Sequence, residues 1–204
     1  MSRYTRAFTP GGTFFFTVNL ADRSKTLLTD HIDKLRENLR HVRDRHPFHI
    51  DAIVVLPDHL HAIWTLPPGD ADYPTRWTLI KAGFSRGLPK NERIGSSRIA
   101  KGERGVWQRR YWEHLIRDEA DYARHIDYIH YNPVKHGYAG TPLDWPHSSI
   151  HRYVRDGTLP ADWGANYAEA EMAGRGNDDG FVGVRGLTPT YTLPNSVRLI
   201  LQHL

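Results

Sequence analysis

Hydrophobic positions along the chain switch repeatedly between a period of two and a period near 3.6, and the order of the switches predicts the elements. Thr13 to Leu20 reads as a strand with Phe14, Phe16, Val18 and Leu20 on its greasier face. Ile32, Leu35, Leu39 and Val42 then recur at helical spacing, with Thr29 or Asp30 as cap and Pro47 as the stop. The pattern returns to strands from about Phe48 to Leu56 and from His59 to Leu66, joined across the Pro57-Asp58 turn signal as a hairpin. After Pro67-Pro68-Gly69 a second helix is expected from about Thr75 to Arg86, followed by a basic Gly- and Ser-containing loop from Gly87 to Gly105. Val106 to Arg117 predicts another strand, with Trp107, Arg109, Tyr111 and Glu113 on one face and Gln108, Arg110, Trp112 and His114 on the other. Aromatics interleaved with Arg suit stacked nucleobases, and equally an ordinary sheet with aromatic cross-strand pairs.

The last long helix is expected to start near Asp118 or Glu119 and to end at Asn132, before Pro133. At about 100° per residue, Tyr122, Ile126 and Ile129 form its apolar stripe. Tyr128 and Asn132, one turn apart, lie on the flank of that stripe with His125, whereas Tyr131 points away from it. Trp145 to Ser149 is expected to close as a loop over a body spanning residues 1–155. Residues 156–204, rich in Gly, Pro, Asp and Asn, read as an extended or partly disordered tail with a short helix at Ser196 to Leu204.

Charge sharpens this picture. The net charge is +4 over 204 residues, but ten basic and two acidic residues fall between Arg76 and Arg110, against three basic and six acidic from Asp156 onward. A basic middle and an acidic tail point to a polyanion held by the body. The chain has no cysteine, which excludes disulfides and thiolate metal sites. Its first apolar run is too short to span a bilayer, no signal peptide is recognisable, and a cytoplasmic, nucleoid-associated protein without membrane contact is expected.

On a strand, His59 and His61 face one way, with alpha carbons roughly 6 to 7 Å apart, so one divalent cation can be gripped by both imidazoles. The carboxamide oxygen of Asn132 would complete a His, His, Asn site with open positions for a phosphate oxygen. Tyr128 would supply a phenol as nucleophile.

Leu56-Pro57-Asp58-His59-Leu60-His61, Trp107-Gln108-Arg109-Arg110, Tyr128 to Lys135 and the opening Arg6 to Gly12 together resemble the REP-associated tyrosine transposases, single-tyrosine relatives of the HUH transposases. The resemblance runs from about Tyr4 to Tyr153. It implies an α+β fold with a ferredoxin-like antiparallel sheet flanked by helices. It implies Mg2+ or Mn2+ on His59, His61 and Asn132, with Tyr128 joined to a 5′ phosphate. The implied substrate is single-stranded DNA beside REP hairpins, with Arg3, Arg6, Arg109 and Arg110 as DNA contacts, and the implied assembly is a monomer or a homodimer. One departure is His147, where the family pattern has an aromatic after Trp145-Pro146. The alternative reading is a catalytically inactive REP-hairpin DNA-binding protein, against which the intact His59, His61, Tyr128 and Asn132 argue.

Overall fold

The aromatic run near the start of the chain becomes one of the two central strands of the sheet. In the computed structural model, which describes residues 8–90, 94 and 96–165, the order is β1 (Thr13–Asn19), α1 (Leu27–Asp30), α2 (Ile32–Arg45), β2 (His49–Val55), β3 (His59–Thr65), α3 (Tyr73–Arg86), α4 (Ser96–Ile99), β4 (Trp112–Leu115), α5 (Glu119–Lys135), a 3-10 turn at Pro142–Asp144 and α6 (Ile150–Arg155). The sheet is antiparallel with strand order β2-β3-β1-β4. This is the ferredoxin-like arrangement expected from the sequence. Two compact units divide the chain: Met1–Ile50 with Val55–Leu115, and Asp51–Val54 with Ile116–Leu204.

In the first unit the alternation of β1 sends Phe14 and Phe16 to the face covered by α3. There Phe14 meets Tyr73 at 4.7 Å, Phe16 meets Trp64 at 5.0 Å, and Trp64 stacks on Trp77 at 4.1 Å. Such ring pairs add to the burial of their large apolar area. Leu35, Leu39 and Val42 of α2 are buried as their spacing requires. Three boundaries differ from the sequence expectation. Thr29 and Asp30 do not cap α2 but belong to α1, and His31 stands at the N-cap without a side-chain bond. The Asp72 carboxylate accepts from the Thr75 N–H at 3.1 Å, and Pro74 suits a first turn, so α3 begins at Tyr73. The strand expected over Val106 to Arg117 shrinks to four residues, with Trp107 held to Leu20 by an isolated bridge. Lys81 Nζ takes the carbonyls of Gln108 (2.6 Å) and Arg109 (3.3 Å), acceptors that a continuous ladder would use.

In the second unit Asp118 caps α5 by accepting from the Asp121 N–H at 2.7 Å. Pro133 does not end this helix, which runs on to Lys135. With only two residues beyond it, the proline withholds a single ladder donor near the terminus, where Tyr138 N–H closes onto the Pro133 carbonyl at 2.9 Å. Tyr131, expected away from the core, is buried in a second cluster with Ile150, Leu159 and Trp163. The last two come from the stretch read as tail, so residues 156–165 cover a face of α5 that periodicity alone left bare. The expected helix at Ser196 to Leu204 lies outside the described residues.

His130 ties α5 to the strand segment of this unit. Its Nε2 lies 2.9 Å from Ser149 Oγ, which also accepts from the Ile53 N–H at 2.9 Å. Full burial lowers the His130 pKa from 6.5 to about 3. A depressed histidine contributes stability that is complete above its unfolded value and lost as pH falls from 6.5 towards 3. Denaturant midpoints are therefore expected to drop across that window in the wild type, with a shallower slope in His130→Gln. Among the described residues no helix is long and apolar enough to cross a membrane.

Candidate active site

All seven residues of β3 are buried, so His59 and His61 do not sit on a solvent face. Their rings face the same side, 5.0 Å apart with planes at 84°. Each Nδ1 has a specific neighbour. His59 Nδ1 is 2.7 Å from Asp58 Oδ1, and His61 Nδ1 is 2.9 Å from Thr17 Oγ1. Arg23 donates through Nε to the same Asp58 carboxylate. Burial raises the Asp58 pKa, but hydrogen bonds from His59 and Arg23 outweigh it and hold the carboxyl below its ordinary range. An ionised carboxylate on Nδ1 favours the tautomer whose Nε2 carries a lone pair, the arrangement that orients metal-binding histidines. Phe15 stacks on His61 at 5.5 Å and 21°, which fixes its ring plane.

On α5, Tyr122 and Tyr131 are buried, whereas Tyr128 is partly exposed. The Tyr122 hydroxyl donates to Asp51 at 3.4 Å, and burial together with that carboxylate pushes its pKa far above the phenol range. Lys135 Nζ lies 5.3 Å from the centre of the Tyr128 ring. Asn132 is 1 % exposed, and neither end of its carboxamide has a hydrogen bond. Leaving a buried polar group unsatisfied costs about 1–3 kcal/mol, so an acceptor oxygen in this state fits a role as ligand to a bound group. His125, on the same flank, points Nδ1 at the Asp121 carbonyl at 2.7 Å.

The expected DNA contacts separate. Arg109 is engaged by Glu103 at 2.8 Å and by Ser97. Arg110 is exposed, with no ion pair among the described residues. Arg3 and Arg6 lie outside the described residues. Within the basic segment, Arg76 is buried against Asp70, and Arg104 is spent on the carbonyls of Ser85, Leu88 and Pro89. Only part of the segment's charge is therefore presented outward.

No family model matches the sequence. The chain is 45 % identical over 169 residues to the REP-associated tyrosine transposase of Escherichia coli K12, covering 83 % of this chain and 94 % of that protein. It is 49 % identical over 167 residues to a Haemophilus influenzae protein given the same family name, covering 81 % and 95 %. A solved REP-associated tyrosine transposase bound to a REP hairpin superposes with a TM-score of 0.70 at 40 % identity, over 95 % of this chain and 99 % of that one. The chain belongs to the REP-associated tyrosine transposases.

For a member of this family, sequence reasoning missed the residues behind the histidines. Asp58 reads as half of a turn signal, yet its carboxylate meets His59 Nδ1. Thr17 lies 44 positions from His61 and faces it only through strand register. The one available signal was parity, since Thr17 alternates with Phe14 and Phe16 and so falls on the opposite face. At His147 the chain keeps a ring contact with Trp145, at 5.6 Å.

Proposed function

We propose that this chain is a metal-dependent nuclease and strand transferase that cleaves and rejoins single-stranded DNA at REP hairpins through a 5′-phosphotyrosine. The observation that carries the reading is the buried pair His59 and His61, whose rings face one side 5.0 Å apart with each Nδ1 beside a protein oxygen, an arrangement that suits metal-binding imidazoles. The same pair argues against a DNA-holding scaffold, which has no use for two buried, oriented imidazoles. The family relatives support the substrate, one of them having been solved with a REP hairpin.

His59, His61 and the Asn132 carboxamide oxygen, from the same subunit or a second one, are the residues that would hold Mg2+ or Mn2+. When bound, the ion supplies Lewis-acid polarisation of the scissile phosphate. Tyr128 Oη forms the new bond to phosphorus as the bond to the 3′ oxygen breaks, leaving a 3′ hydroxyl on one DNA end and the phosphoryl group on tyrosine. The ester energy is retained, so the reverse attack by a 3′ hydroxyl rejoins DNA without ATP. Lys135 places a positive charge beside the ring of that nucleophile.

The test is formation of a covalent protein–DNA adduct on single-stranded REP-hairpin oligonucleotides. Adduct is expected with Mg2+ or Mn2+, is lost in excess chelator, and returns when the metal is restored. Tight hairpin binding with no adduct under any metal would instead identify a DNA-binding protein.

A further inference from the structure

One large apolar side chain stands out on the histidine-bearing face of the first unit's sheet. Trp112 of β4 is 46 % exposed, while the other aromatic residues of that unit's strands are buried. Register fixes where it stands: Thr17 of β1 pairs with His61 on one side and with Trp112 on the other. Directly opposed residues share a face, so His61, Thr17 and Trp112 form one row across three strands, with about 10 Å between its ends.

The indole is held rather than loose. Phe15, the ring stacked on His61, meets Trp112 edge-on at 5.6 Å. His114 lies parallel to it, at 5.8 Å and 9°. A single buried phenyl thus braces both the ligand imidazole and the exposed indole. Two residues before Trp112, Arg110 offers an exposed guanidinium, in the segment where basic residues exceed acids by ten to two.

We propose that Trp112 is the stacking surface for one nucleobase of single-stranded DNA, next to the phosphate bound at the His59 and His61 centre. This rests on the functional reading above and deepens it by naming what seats the strand beside the scissile position. The occupant is a base rather than an apolar protein segment because Arg110, two residues away, offers an exposed cation, and among the described residues no other large apolar side chain of the sheet's strands is exposed to widen the indole into a patch that a protein partner would bury. An aromatic face accepts any base, so Trp112 sets the path and register of the strand and leaves sequence choice to other contacts. Trp112 is accordingly a positioning residue: it touches the DNA but not the reacting atoms.

The experiment uses the full chain carrying Tyr128→Phe, so that binding is read without cleavage, and single-stranded REP-hairpin oligonucleotides with an abasic site moved one position at a time. Trp112→Ala is expected to weaken binding roughly 5- to 100-fold, and Trp112→Phe, which keeps a stacking ring, to recover most of it. One abasic position near the nick is expected to weaken binding by a similar factor with Trp112 present and by almost nothing further with Trp112→Ala. That position-specific coupling is a readout that a merely structural role would not move. Unchanged affinity in Trp112→Ala overturns the proposal, and so do abasic penalties that are the same in both proteins at every position. A change in oligomeric state with DNA affinity intact also overturns it, by assigning the indole to a protein contact. Adduct formation by the Tyr128 parent is scored separately, so a catalytic protein lacking the coupling refutes this inference alone, and a protein that forms no adduct refutes the reading beneath it.

Discussion

Full-length protein carrying Tyr128→Phe is expected to form no covalent adduct with single-stranded REP-hairpin DNA, a loss of at least about a thousandfold, while its affinity for the hairpin stays within a few-fold of wild type. Phenylalanine keeps the ring beside Lys135 Nζ and removes only the oxygen that would bond to phosphorus, so binding and chemistry part company. The neighbouring tyrosines cannot substitute. The Tyr122 hydroxyl is buried against Asp51 and strongly disfavoured as a phenolate, and Tyr131 is enclosed by Ile150, Leu159 and Trp163. Denaturing gel analysis of the oligonucleotide reads the result directly. Adduct persisting at wild-type yield in Tyr128→Phe would move the nucleophile to another residue and overturn the assignment.

Arg76→Ala is expected to destabilise the protein by about 3 kcal/mol or more, roughly 10 °C in Tm, the largest single-site effect on folding anticipated here. The guanidinium is 3 % exposed and donates to both Asp70 carboxylate oxygens, at 3.1 and 2.6 Å, and to the carbonyls of His46, Pro47 and Asp72. It therefore fastens the end of α2 to the start of α3, and its removal strands one carboxylate and three carbonyls. The hydrogen bond from Arg76 holds the Asp70 carboxyl below its ordinary 3.8. A depressed carboxyl contributes stability above its unfolded value and loses it as pH falls further, so the gap between wild type and variant should narrow below pH 3.8. Chemical denaturation at neutral and acid pH measures both. A variant as stable as wild type at neutral pH would show that the fork carries no net energy.

The local geometry that was legible is short-range. Strand parity is enough to put His59 and His61 on one side, and the helical period is enough to set Tyr128 and Asn132 one turn apart on α5. What escaped depends on distant chain. Tyr131 looks solvent-facing until Leu159 and Trp163 arrive from residues with no recognisable period. Arg76 looks like one more charge in a basic run until Asp70 and three carbonyls surround it. Pro133 looks like a helix stop because its ring nitrogen carries no hydrogen and its ring crowds the residue before it, yet a lost donor near a terminus matters little. The strand around Trp107 to Tyr111 failed for a comparable reason, since no pattern announces that Lys81 will claim its carbonyls.

The allocation of β2 has a practical consequence for anyone wishing to dissect the molecule. Because Asp51–Val54 belongs with the later unit while the residues on either side of it belong with the earlier one, the backbone passes between the two after residues 50, 54 and 115. A cut after residue 115 keeps every segment of the earlier unit but strips Asp51–Val54 from the later one, so the fragment from residue 116 onward should be recoverable as folded protein only when co-expressed with residues 1–115.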